Sequence, residues 1–455
     1  MTSGVLPRRV HIVGIGGAGM SAIAIVLSQQ GHQVSGSDLK ASVAFERLRA
    51  HDVKLFLGHS ASNVDGADIV GISSAIPKSN PEVSWAREHG IPVLTRSELL
   101  PLIISEKTVL GVSGTHGKTT TTSMLALALM NAGRRPSFII GGELNEIGTN
   151  ALWDQGPELV IEADESDGTF LHLGCRGVIV TNIEPDHLEY YGSYQALCDA
   201  FERFVIEAPG PKVVCADSKA ANGLLGIAGV VSYGFSENSN YCISDLVATK
   251  EKTSFKVSNA YLGEVAVELA VPGRHNVSNA TAVIALADQL GVDIGPVVAA
   301  LSKFTGVARR FQYRGTYNGA TLVDDYAHLP GEIEAVLETA ASQGYQRVVA
   351  VFQPHRYSRT ASLYSEFAAS FSNADVIVIT DVYSAGEMPI PGITGELISS
   401  LVDANFPNKE VYYLAQRHKV GSFIQSILQP GDVCLTLGAG DLTLLYGELS
   451  EEPIQ

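Results

Sequence analysis

The sequence is poor in charged residues, and it is poorest in positive charge. Only 17% of its 455 residues are charged, and 48 acidic residues against 31 basic ones give a formal net charge of −17. Nucleic acids and anionic membrane surfaces bind to a basic face of a protein. We therefore expect no nucleic acid and no anionic membrane as a partner.

The sequence also lacks the segments that lead a chain into or across a membrane. It contains no apolar run of the 18 or so residues that a spanning helix needs, so no membrane insertion is predicted. Its first residues, MTSGVLPRRVHIV, pass directly into a predicted strand without the apolar segment of a secretory signal. Its five cysteines form no CxxC pair, which favours reduced thiols over a disulfide or metal framework. The expected location is the cytoplasm.

Short Val/Ile-rich runs and glycine-rich turns are what the sequence does have. A chain of this length is too long for one hydrophobic core, and its runs alternate with helical stretches, as in α/β proteins. The predicted fold class is α/β with three domains: a Rossmann-like domain at 1–106, a central P-loop ATPase-like domain at 107–312 and a C-terminal Rossmann-like domain at 313–455. The predicted strands are VHIVG, VSGSD, VKLFLG, ADIVGISSAI and IPVLT in the first domain, VLGVSG, ELVIEADE and GVIVTNI in the second, and VVAVFQP, ADVIVITDVY and DVCLTLGAG in the third.

Residues 109–120, VLGVSGTHGKTT, indicate a phosphate-binding loop between a strand and a helix. Backbone N–H groups and the positive end of the helix can surround a triphosphate there, with Lys118 at the terminal phosphates and Thr119 on Mg²⁺. Val112 stands where the common GxxxxGK[ST] pattern has glycine, which argues against the usual GTPase and transport-ATPase families. The predicted ATP-binding loop comprises Gly114, Thr115, His116, Gly117, Lys118, Thr119 and Thr120.

A second glycine loop lies in the first thirty residues. Gly14, Gly16 and Gly19 have GxGxxG spacing between a strand and a helix, and Asp38 ends the next strand. This pattern selects a diphosphate that approaches the backbone closely, with an acid on the ribose, and either NAD or a UDP-sugar satisfies it. Asp38 could equally be a strand-end residue that faces solvent.

Acidic residues and a histidine follow two strands of the central domain. IEADESDGTF places Glu162, Asp164, Glu165 and Asp167 after one strand, and TNIEPDHLEYYGS places Glu184, Asp186 and His187 after another. Carboxylates and imidazole beside an ATP site are groups that Mg²⁺ and its water ligands require.

Polar residues also gather late in the sequence. In GRHNVSNA, His275, Asn276 and Asn279 precede and begin an alanine-rich helix, where the asparagines could read an adenine edge or cap the helix. Arg309 and Arg310 stand at the predicted hinge into the last domain, where an arginine could stabilise developing phosphate charge. DDYAHLPGE and FQPHRYSRT suit recognition of a carboxylate and an amine, because arginine pairs bidentately with carboxylates. They contain Asp324, Asp325, Tyr326, His328, His355, Arg356 and Arg359.

Taken in order, these motifs resemble those of the Mur ligases of peptidoglycan synthesis along the whole chain. The matching stretches are GIGGAGM at 14–20, GTHGKTT at 114–120, EADESD at 162–167, NIEPDH at 182–187, GRHNVSNA at 273–280, RRFQ at 309–312, DDYAH at 324–328 and HRYSRT at 355–360. Within the family, the spelling of EADESD and NIEPDH is similar to that of the alanine-adding ligases. The resemblance implies ATP-dependent joining of L-alanine to the lactyl carboxylate of UDP-N-acetylmuramate through an acyl phosphate, with Mg²⁺ as cofactor, in a monomer or homodimer.

The resemblance also implies a role for each domain and for individual residues. The first domain would bind the UDP-sugar, the second ATP and Mg²⁺, and the third the amino acid, and the three would close around the reactive acyl phosphate. The implied catalytic residues are Lys118, Glu162, His187, Arg310, His328 and His355. The UDP-sugar would contact Gly14, Gly16, Gly17, Gly19 and Asp38. Besides the phosphate loop, ATP would contact Asn276, Asn279, Arg310 and Asp325. The amino acid would contact Tyr326, His355, Arg356 and Arg359, and the metal would be held by Thr119, Glu162 and His187.

Two departures from the family pattern and three alternatives accompany this interpretation. Related ligases carry a carbamylated lysine after the metal histidine, but residues 188–206 here contain no lysine, so we hypothesise that Glu202 supplies the carboxylate. Leu329 stands where a second histidine is usual.

The nearest alternative is a murein-peptide ligase, which attaches a tripeptide. An NAD-dependent dehydrogenase would use the first glycine loop alone, and a non-catalytic nucleotide sensor of the same fold would not need the acidic and arginine-containing loops.

Overall fold

The fold is described from a computed structural model of the chain, in residues 6–41, 43–73, 75–249 and 252–449. The first five residues, which carry the prediction about a secretory signal, and Ser74 in the predicted strand ADIVGISSAI lie outside the described residues. Within the described part, no helix is both long enough and apolar enough to cross a membrane.

The first domain is built on a five-stranded parallel sheet in the order β3-β2-β1-β4-β5. Its strands are β1 (Arg9–Val13), β2 (Gln33–Asp38), β3 (Lys54–Leu57), β4 (Ile69–Ile72) and β5 (Val93–Thr95), and its helices are α1 (Ala18–Gln29), α2 (Val43–Ala50), α3 (Pro81–Glu88) and α4 (Arg96–Ile104). Because the strands are parallel, the loops after them all lie at one edge of the sheet. The first glycine loop therefore shares that edge with the residues that follow β2 and β5.

The central domain has a ten-stranded sheet in the order β15-β14-β13-β12-β11-β10-β6-β9-β7-β8. Its strands are β6 (Thr108–Ser113), β7 (Ser137–Leu144), β8 (Thr149–Leu152), β9 (Glu158–Glu162), β10 (Gly177–Val180), β11 (Lys212–Cys215), β12 (Val230–Gly234), β13 (Tyr241–Ala248), β14 (Thr253–Asn259) and β15 (Gly263–Leu269). Its helices are α5 (Lys118–Asn131), α6 (Leu188–Tyr191), α7 (Tyr194–Glu207), α8 (Arg274–Gln289) and α9 (Ile294–Leu301). β6 lies between β9 and β10 and is parallel to both, so the acidic segments after those strands flank the phosphate loop.

The C-terminal domain has a six-stranded sheet in the order β16-β17-β21-β18-β19-β20, in which only the β16–β17 pair is antiparallel among the described pairings. Its strands are β16 (Gln312–Tyr317), β17 (Ala320–Asp325), β18 (Val348–Phe352), β19 (Val376–Thr380), β20 (Glu410–Leu414) and β21 (Val433–Leu437). Its helices are α10 (Pro330–Ser342), α11 (Tyr357–Ala369), α12 (Gly395–Asn405), α13 (Val420–Ile427) and α14 (Leu445–Leu449). The predicted three-domain α/β class is thus confirmed, while the domain limits 1–106, 107–312 and 313–455 remain predictions.

The chain separates into two compact units rather than three. The first holds residues up to Leu246 with 254–270 and 276–305, and the second holds 247–253, 271–275 and the residues from Gly306 onward. The first two sheets share a unit because α1 is apolar on nearly all sides: Met20 through Leu27 are buried. This helix covers its own sheet and also contacts β7 and β8, so one hydrophobic cluster runs from Val10 to Leu224.

Candidate active site

The first glycine loop joins β1 to α1 at the carboxyl edge of the first sheet. The carbonyl of Ser37 accepts hydrogen bonds from the N–H groups of Gly14 and Ile15, which holds the loop against the end of β2. Asp38 Oδ2 accepts the N–H of Gly16 at 2.9 Å. Asp38 therefore shapes the loop itself, and Gly17 is the N-cap of α1, where the helix presents its positive end to an anion.

The phosphate loop joins β6 to α5 through Gly117, the N-cap residue, which is left-handed at φ 81°. A Cβ built on Gly117 would lie 2.8 Å from Oδ1 of Asn279, so only glycine lets this amide lie against the loop. Lys118 Nζ donates to the carbonyl of Gly114 at 2.7 Å and to Oε1 of Glu165 at 2.7 Å. The lysine that was predicted to reach phosphate is thus held inside its own loop by a carboxylate.

The ionisation of this pair follows from burial and from the surrounding charges. Burial acts to lower the pKa of Lys118, but Glu165, Asp164 and Glu162 raise it well above its ordinary value. Burial raises the pKa of Glu165 to about 7, although Lys118 opposes that rise. The lysine is therefore charged at neutral pH, with Glu165 as its carboxylate partner.

Glu162, the last residue of β9, meets Thr119 in the first turn of α5. Thr119 Oγ1 donates to Glu162 Oε1 at 3.1 Å, and the N–H of Gly141 donates to Glu162 Oε2 at 2.7 Å. A hydroxyl and a carboxylate at one point are oxygen donors of the kind that Mg²⁺ prefers, so this pair fits the predicted metal. Within the described residues, no group of three or more His, Cys, Asp and Glu side chains is placed to hold a metal ion.

The segment after β10 wraps around the phosphate loop. Asn182 Oδ1 accepts the N–H of His116 at 2.8 Å, and its Nδ2 donates to the His116 carbonyl at 3.0 Å. Glu184 Oε2 lies 3.0 Å from Nε2 of His116, and the N–H of Glu184 donates to Thr115 Oγ1. Glu184, one of the predicted acids, therefore contacts the phosphate loop directly.

His187 adopts a left-handed backbone at φ 54° where α6 begins, and its Nε2 lies 3.2 Å from Oδ2 of Asp186. Its predicted role as a metal ligand stays a prediction. Glu202 is exposed on α7, and its role likewise stays a hypothesis.

Asn276 and Asn279 are both buried in the first turns of α8, which begins at Arg274. Asn279 Nδ2 lies 3.4 Å from Oδ1 of Asn276, so the two amides form one polar patch at the phosphate loop. His275, which was expected just before the helix, lies within its first turn. Burial, with the charge of Arg310, lowers the pKa of His275 to about 4.

In the C-terminal domain, Tyr326 lies under two arginines. The guanidinium carbons of Arg309 and Arg310 are 4.9 and 5.4 Å from the centre of its ring. The His328 and His355 ring centres are 6.0 Å apart. The structure therefore brings together the residues of two predicted motifs, DDYAH and HRYSRT, after β17 and β18.

The two imidazoles of this cluster are held neutral. Burial lowers the pKa of His328 to about 4, against the opposing charge of Glu332. Burial and then His328 and Arg359 lower the pKa of His355 to about 3. At neutral pH both imidazoles are therefore uncharged, and burial makes each of them a weaker base than an exposed histidine.

The two consecutive aspartates at the end of β17 have different environments. Asp324 accepts hydroxyl hydrogen bonds from Thr436 and Thr443 at 2.8 and 2.6 Å and is buried inside the domain. Asp325 accepts the N–H groups of Phe311 and Ala327, both at 2.7 Å, and burial raises its pKa to about 6, against the charge of Arg310. Asp324 therefore stabilises the domain, whereas Asp325 shapes the segment that carries Arg310 and Tyr326.

Leu329, the departure from the family pattern, is buried as the N-cap residue of α10. Its N–H and that of His328 donate to Oε2 of Glu332. A leucine here packs against the domain instead of offering an imidazole.

Sequence reasoning missed several residues of these clusters. Asn182 begins the matching stretch NIEPDH but was given no role, and Gly141 lies outside every quoted motif; both contact predicted site residues. Tyr383 stacks on His355 with ring centres 5.6 Å apart and planes 9° apart. Glu332 contacts the backbone N–H of His328. Only Glu332 had a local signal, because it stands three residues into a helix and can complete a capping box.

Comparison with known proteins agrees with this arrangement along the whole chain. Family models match residues 9–108 (Mur ligase family, catalytic domain), 112–287 (Mur ligase middle domain) and 309–440 (Mur ligase, glutamate ligase domain). A UDP-N-acetylmuramate--L-alanine ligase from Geotalea daltonii is 44% identical over 98% of each chain, and one from Rubrobacter xylanophilus is 44% identical over 97% of this chain and 99% of the relative.

Solved structures extend the comparison to the fold. The crystal structure of UDP-N-acetylmuramate-alanine ligase from Thermotoga maritima is similar with a TM-score of 0.84 and 32% identity, covering 97% of this chain and 98% of that one. A murein peptide ligase from Psychrobacter arcticus shares the fold, with a TM-score of 0.70 and 23% identity over 98% of this chain and all of that one. On this evidence the chain belongs to the Mur ligase family.

Proposed function

We propose that this enzyme joins L-alanine to the lactyl carboxylate of UDP-N-acetylmuramate at the expense of ATP, through an acyl-phosphate intermediate, giving ADP and phosphate. The observation that carries the proposal is 44% identity, over nearly the whole of both chains, to relatives named UDP-N-acetylmuramate--L-alanine ligase. The ligase acts in peptidoglycan precursor synthesis. ATP, the UDP-sugar and the amino acid are its substrates, and the NAD-dependent dehydrogenase and nucleotide-sensor alternatives are set aside.

The two glycine loops would take the two nucleotides. Gly14, Gly16, Gly17 and Gly19 offer a turn and a helix N-terminus to the UDP-sugar diphosphate, with Asp38 holding the loop in shape. The loop from Gly114 to Thr120 would take ATP, with Lys118 at the terminal phosphates and Asn276 and Asn279 near the adenine.

Thr119 and Glu162 would hold Mg²⁺, with His187 as a further ligand. When bound, the ion neutralises phosphate charge and orients the terminal phosphoryl group. Lys118 adds a second positive charge at the same phosphates.

The chemistry needs two displacements. A lactyl carboxylate oxygen attacks the γ-phosphorus of ATP, the bond from that phosphorus to the bridging oxygen breaks, and ADP leaves. The amine of L-alanine then attacks the acyl carbon of the acyl phosphate, the carbon–oxygen bond breaks, and phosphate leaves with the electron pair. The attacking amine must lose protons, and His328 and His355 of the C-terminal domain are the histidines predicted to take part in this reaction.

The amino-acid carboxylate would be bound by Arg356 and Arg359, beside His355 and Tyr326. Arg359 Nη1 lies 3.4 Å from Nδ1 of His355. Arg310 would stabilise phosphate charge, with Asp325 holding its segment in place. The cytoplasmic location and a monomeric or homodimeric state remain predictions.

The test is phosphate release from ATP and Mg²⁺ with UDP-N-acetylmuramate present, with L-alanine or the murein tripeptide added in separate reactions. Release that requires both the UDP-sugar and L-alanine is expected. Release with the tripeptide alone would instead select a murein-peptide ligase. Release with neither would refute the proposed reaction.

A further inference from the structure

Two consecutive acids after β9 each hold one cation beside a glycine loop. Asp164 Oδ2 lies 3.2 Å from Nη1 of Arg96, and Glu165 Oε1 lies 2.7 Å from Nζ of Lys118. Lys118 belongs to the phosphate loop, for which a role is already proposed. Arg96 belongs to no motif, and its position raises the question of what it binds.

Arg96 lies against the first glycine loop. It is the first residue of α4 and directly follows β5, so it is at the same edge of the parallel sheet as the loop after β1. A Cβ built on Gly19 would lie 3.4 Å from Cζ and 3.5 Å from Nε of Arg96. The guanidinium therefore faces the third glycine of the GxGxxG turn, where a diphosphate would approach.

One nitrogen of this guanidinium is buried without a partner. Nε of Arg96 has almost no solvent exposure and makes no hydrogen bond to any of the described residues, although the side chain as a whole is 22% exposed. A buried N–H of a charged group that makes no hydrogen bond is costly. An oxygen of a bound anion at the glycine loop would remove that cost.

Asp164 fixes the other side of the guanidinium. Its Oδ1 accepts the N–H of Ser166 at 3.1 Å, and its Oδ2 faces Arg96. This ion pair, with the Ser166 N–H on its other oxygen, keeps Arg96 at the loop.

We infer that Arg96 is a ligand of the UDP-sugar diphosphate, donating from its buried Nε, and that Asp164 is the residue that positions it. This inference rests on the proposed function, since it takes the first glycine loop as the UDP-sugar site. The phosphate contact then comes from Arg96 in the first domain, and the residue that positions Arg96 follows a strand of the central domain.

The experiment is calorimetric titration of the full-length protein with UDP and, separately, with uridine, in the absence of ATP. Arg96→Gln is expected to weaken UDP binding by about 10- to 100-fold, the loss of a charge-assisted hydrogen bond, while uridine binding is unchanged. Arg96→Lys keeps the positive charge but lacks the several fixed N–H donors of a guanidinium, so its loss of UDP affinity should be smaller than that of Arg96→Gln. Asp164→Asn should weaken UDP binding less than Arg96→Gln, and the double variant should be no weaker than Arg96→Gln alone.

A matched control is available in the same domain. Arg9 and Asp68 also form an ion pair, 2.6 Å apart, but at the amino end of β1, away from the loop. Arg9→Gln should therefore leave UDP binding unchanged.

Three results would count against the inference. Unchanged UDP affinity in Arg96→Gln would overturn it while leaving the proposed function intact. An equal loss for uridine and UDP would assign Arg96 a merely structural role. If the unaltered protein binds no UDP, the UDP-sugar site itself is wrong, and the proposed function fails with the inference.

Discussion

Substitution of Gly141 by alanine tests the proposed metal site without altering any of its predicted ligands. The N–H of Gly141 donates to Oε2 of Glu162, and a Cβ at this position would lie 2.6 Å from that oxygen and 3.0 Å from Cδ. The φ angle of Gly141 lies outside the left-handed region, so alanine can keep the backbone conformation. The added methyl group must instead displace the Glu162 carboxylate.

The size of the effect follows from what Glu162 would lose. Its hydrogen bond from the Gly141 N–H is charge-assisted, and such bonds contribute about 1.5–3 kcal/mol. The movement also separates Glu162 from Thr119, now 3.1 Å away. With about 1.4 kcal/mol for each factor of ten, we expect the Mg²⁺ concentration that gives half-maximal phosphate release to rise about 10- to 100-fold.

The assay is ATP turnover as a function of Mg²⁺ concentration, with a direct titration of Mn²⁺ in the presence of ADP. UDP affinity should not change, because the first glycine loop is untouched. Gly223→Ala is the matched control: it lies in the same unit, and a Cβ there would meet nothing within 4 Å. An unchanged Mg²⁺ dependence in Gly141→Ala would refute the placement of the metal at Glu162.

Four further predictions follow from contacts in the two units. Lys118→Ala should abolish turnover and leave UDP affinity nearly intact; loss of both would contradict the assignment of the two loops to different nucleotides. Glu165→Gln should tighten ATP binding by about tenfold, because Lys118 no longer has to leave a carboxylate to reach the phosphates. The measurement is a titration with a non-hydrolysable ATP analogue, and weaker binding would contradict the prediction. Burial lowers the pKa of His275 to about 4, so the protein should lose stability as pH falls below about 6.5. Between pH 7 and pH 5 the loss of stability in His275→Gln should be smaller than in the unaltered protein by about 2 kcal/mol. Melting curves with the same pH dependence for both proteins would contradict this prediction. Asp324→Ala should destabilise the C-terminal domain by about 2 kcal/mol in denaturant titrations, because the hydroxyls of Thr436 and Thr443 lose their buried acceptor. UDP affinity is the control that should not change.

Much of the fold could be predicted because its signals are local. Apolar runs that end in glycine or acidic residues mark parallel strands and their carboxyl ends, and the strands around both glycine loops lie where those runs predict them. β7, β8 and β11–β15 of the central sheet and β16, β17 and β20 of the C-terminal sheet were not among the predicted strands. Runs such as YCISDLVA mix exposed and buried positions and lack the apolar run of a fully buried strand. The double-sided packing of α1 could be suspected only from its apolar character on every face.

The loops of the candidate site could be predicted from the sequence, but the residues that hold those loops in place could not. Lys118 and Thr119 stand in a motif whose chemistry is set by the turn itself. Asn182 contacts His116, Gly141 contacts Glu162 and Arg96 contacts Asp164, each from elsewhere in the chain, and a contact over a long sequence separation leaves no periodic signal. The pairing of Lys118 with Glu165 was also not foreseen, since the motif describes the loop with a phosphate bound.

The pair Lys118–Glu165 bears on how tightly the enzyme can hold ATP. Lys118 already has a carboxylate partner, so a phosphate that approaches must replace that partner rather than meet a bare positive charge. Replacement of one anion by another yields much less free energy than capture by an unpaired cation in a buried site. Such moderate ground-state binding suits a ligase that must release ADP and phosphate after each turnover, because binding energy common to substrate and transition state does not speed the chemical step. Glu165 therefore keeps Lys118 in place before ATP arrives and limits how strongly the nucleotide is retained.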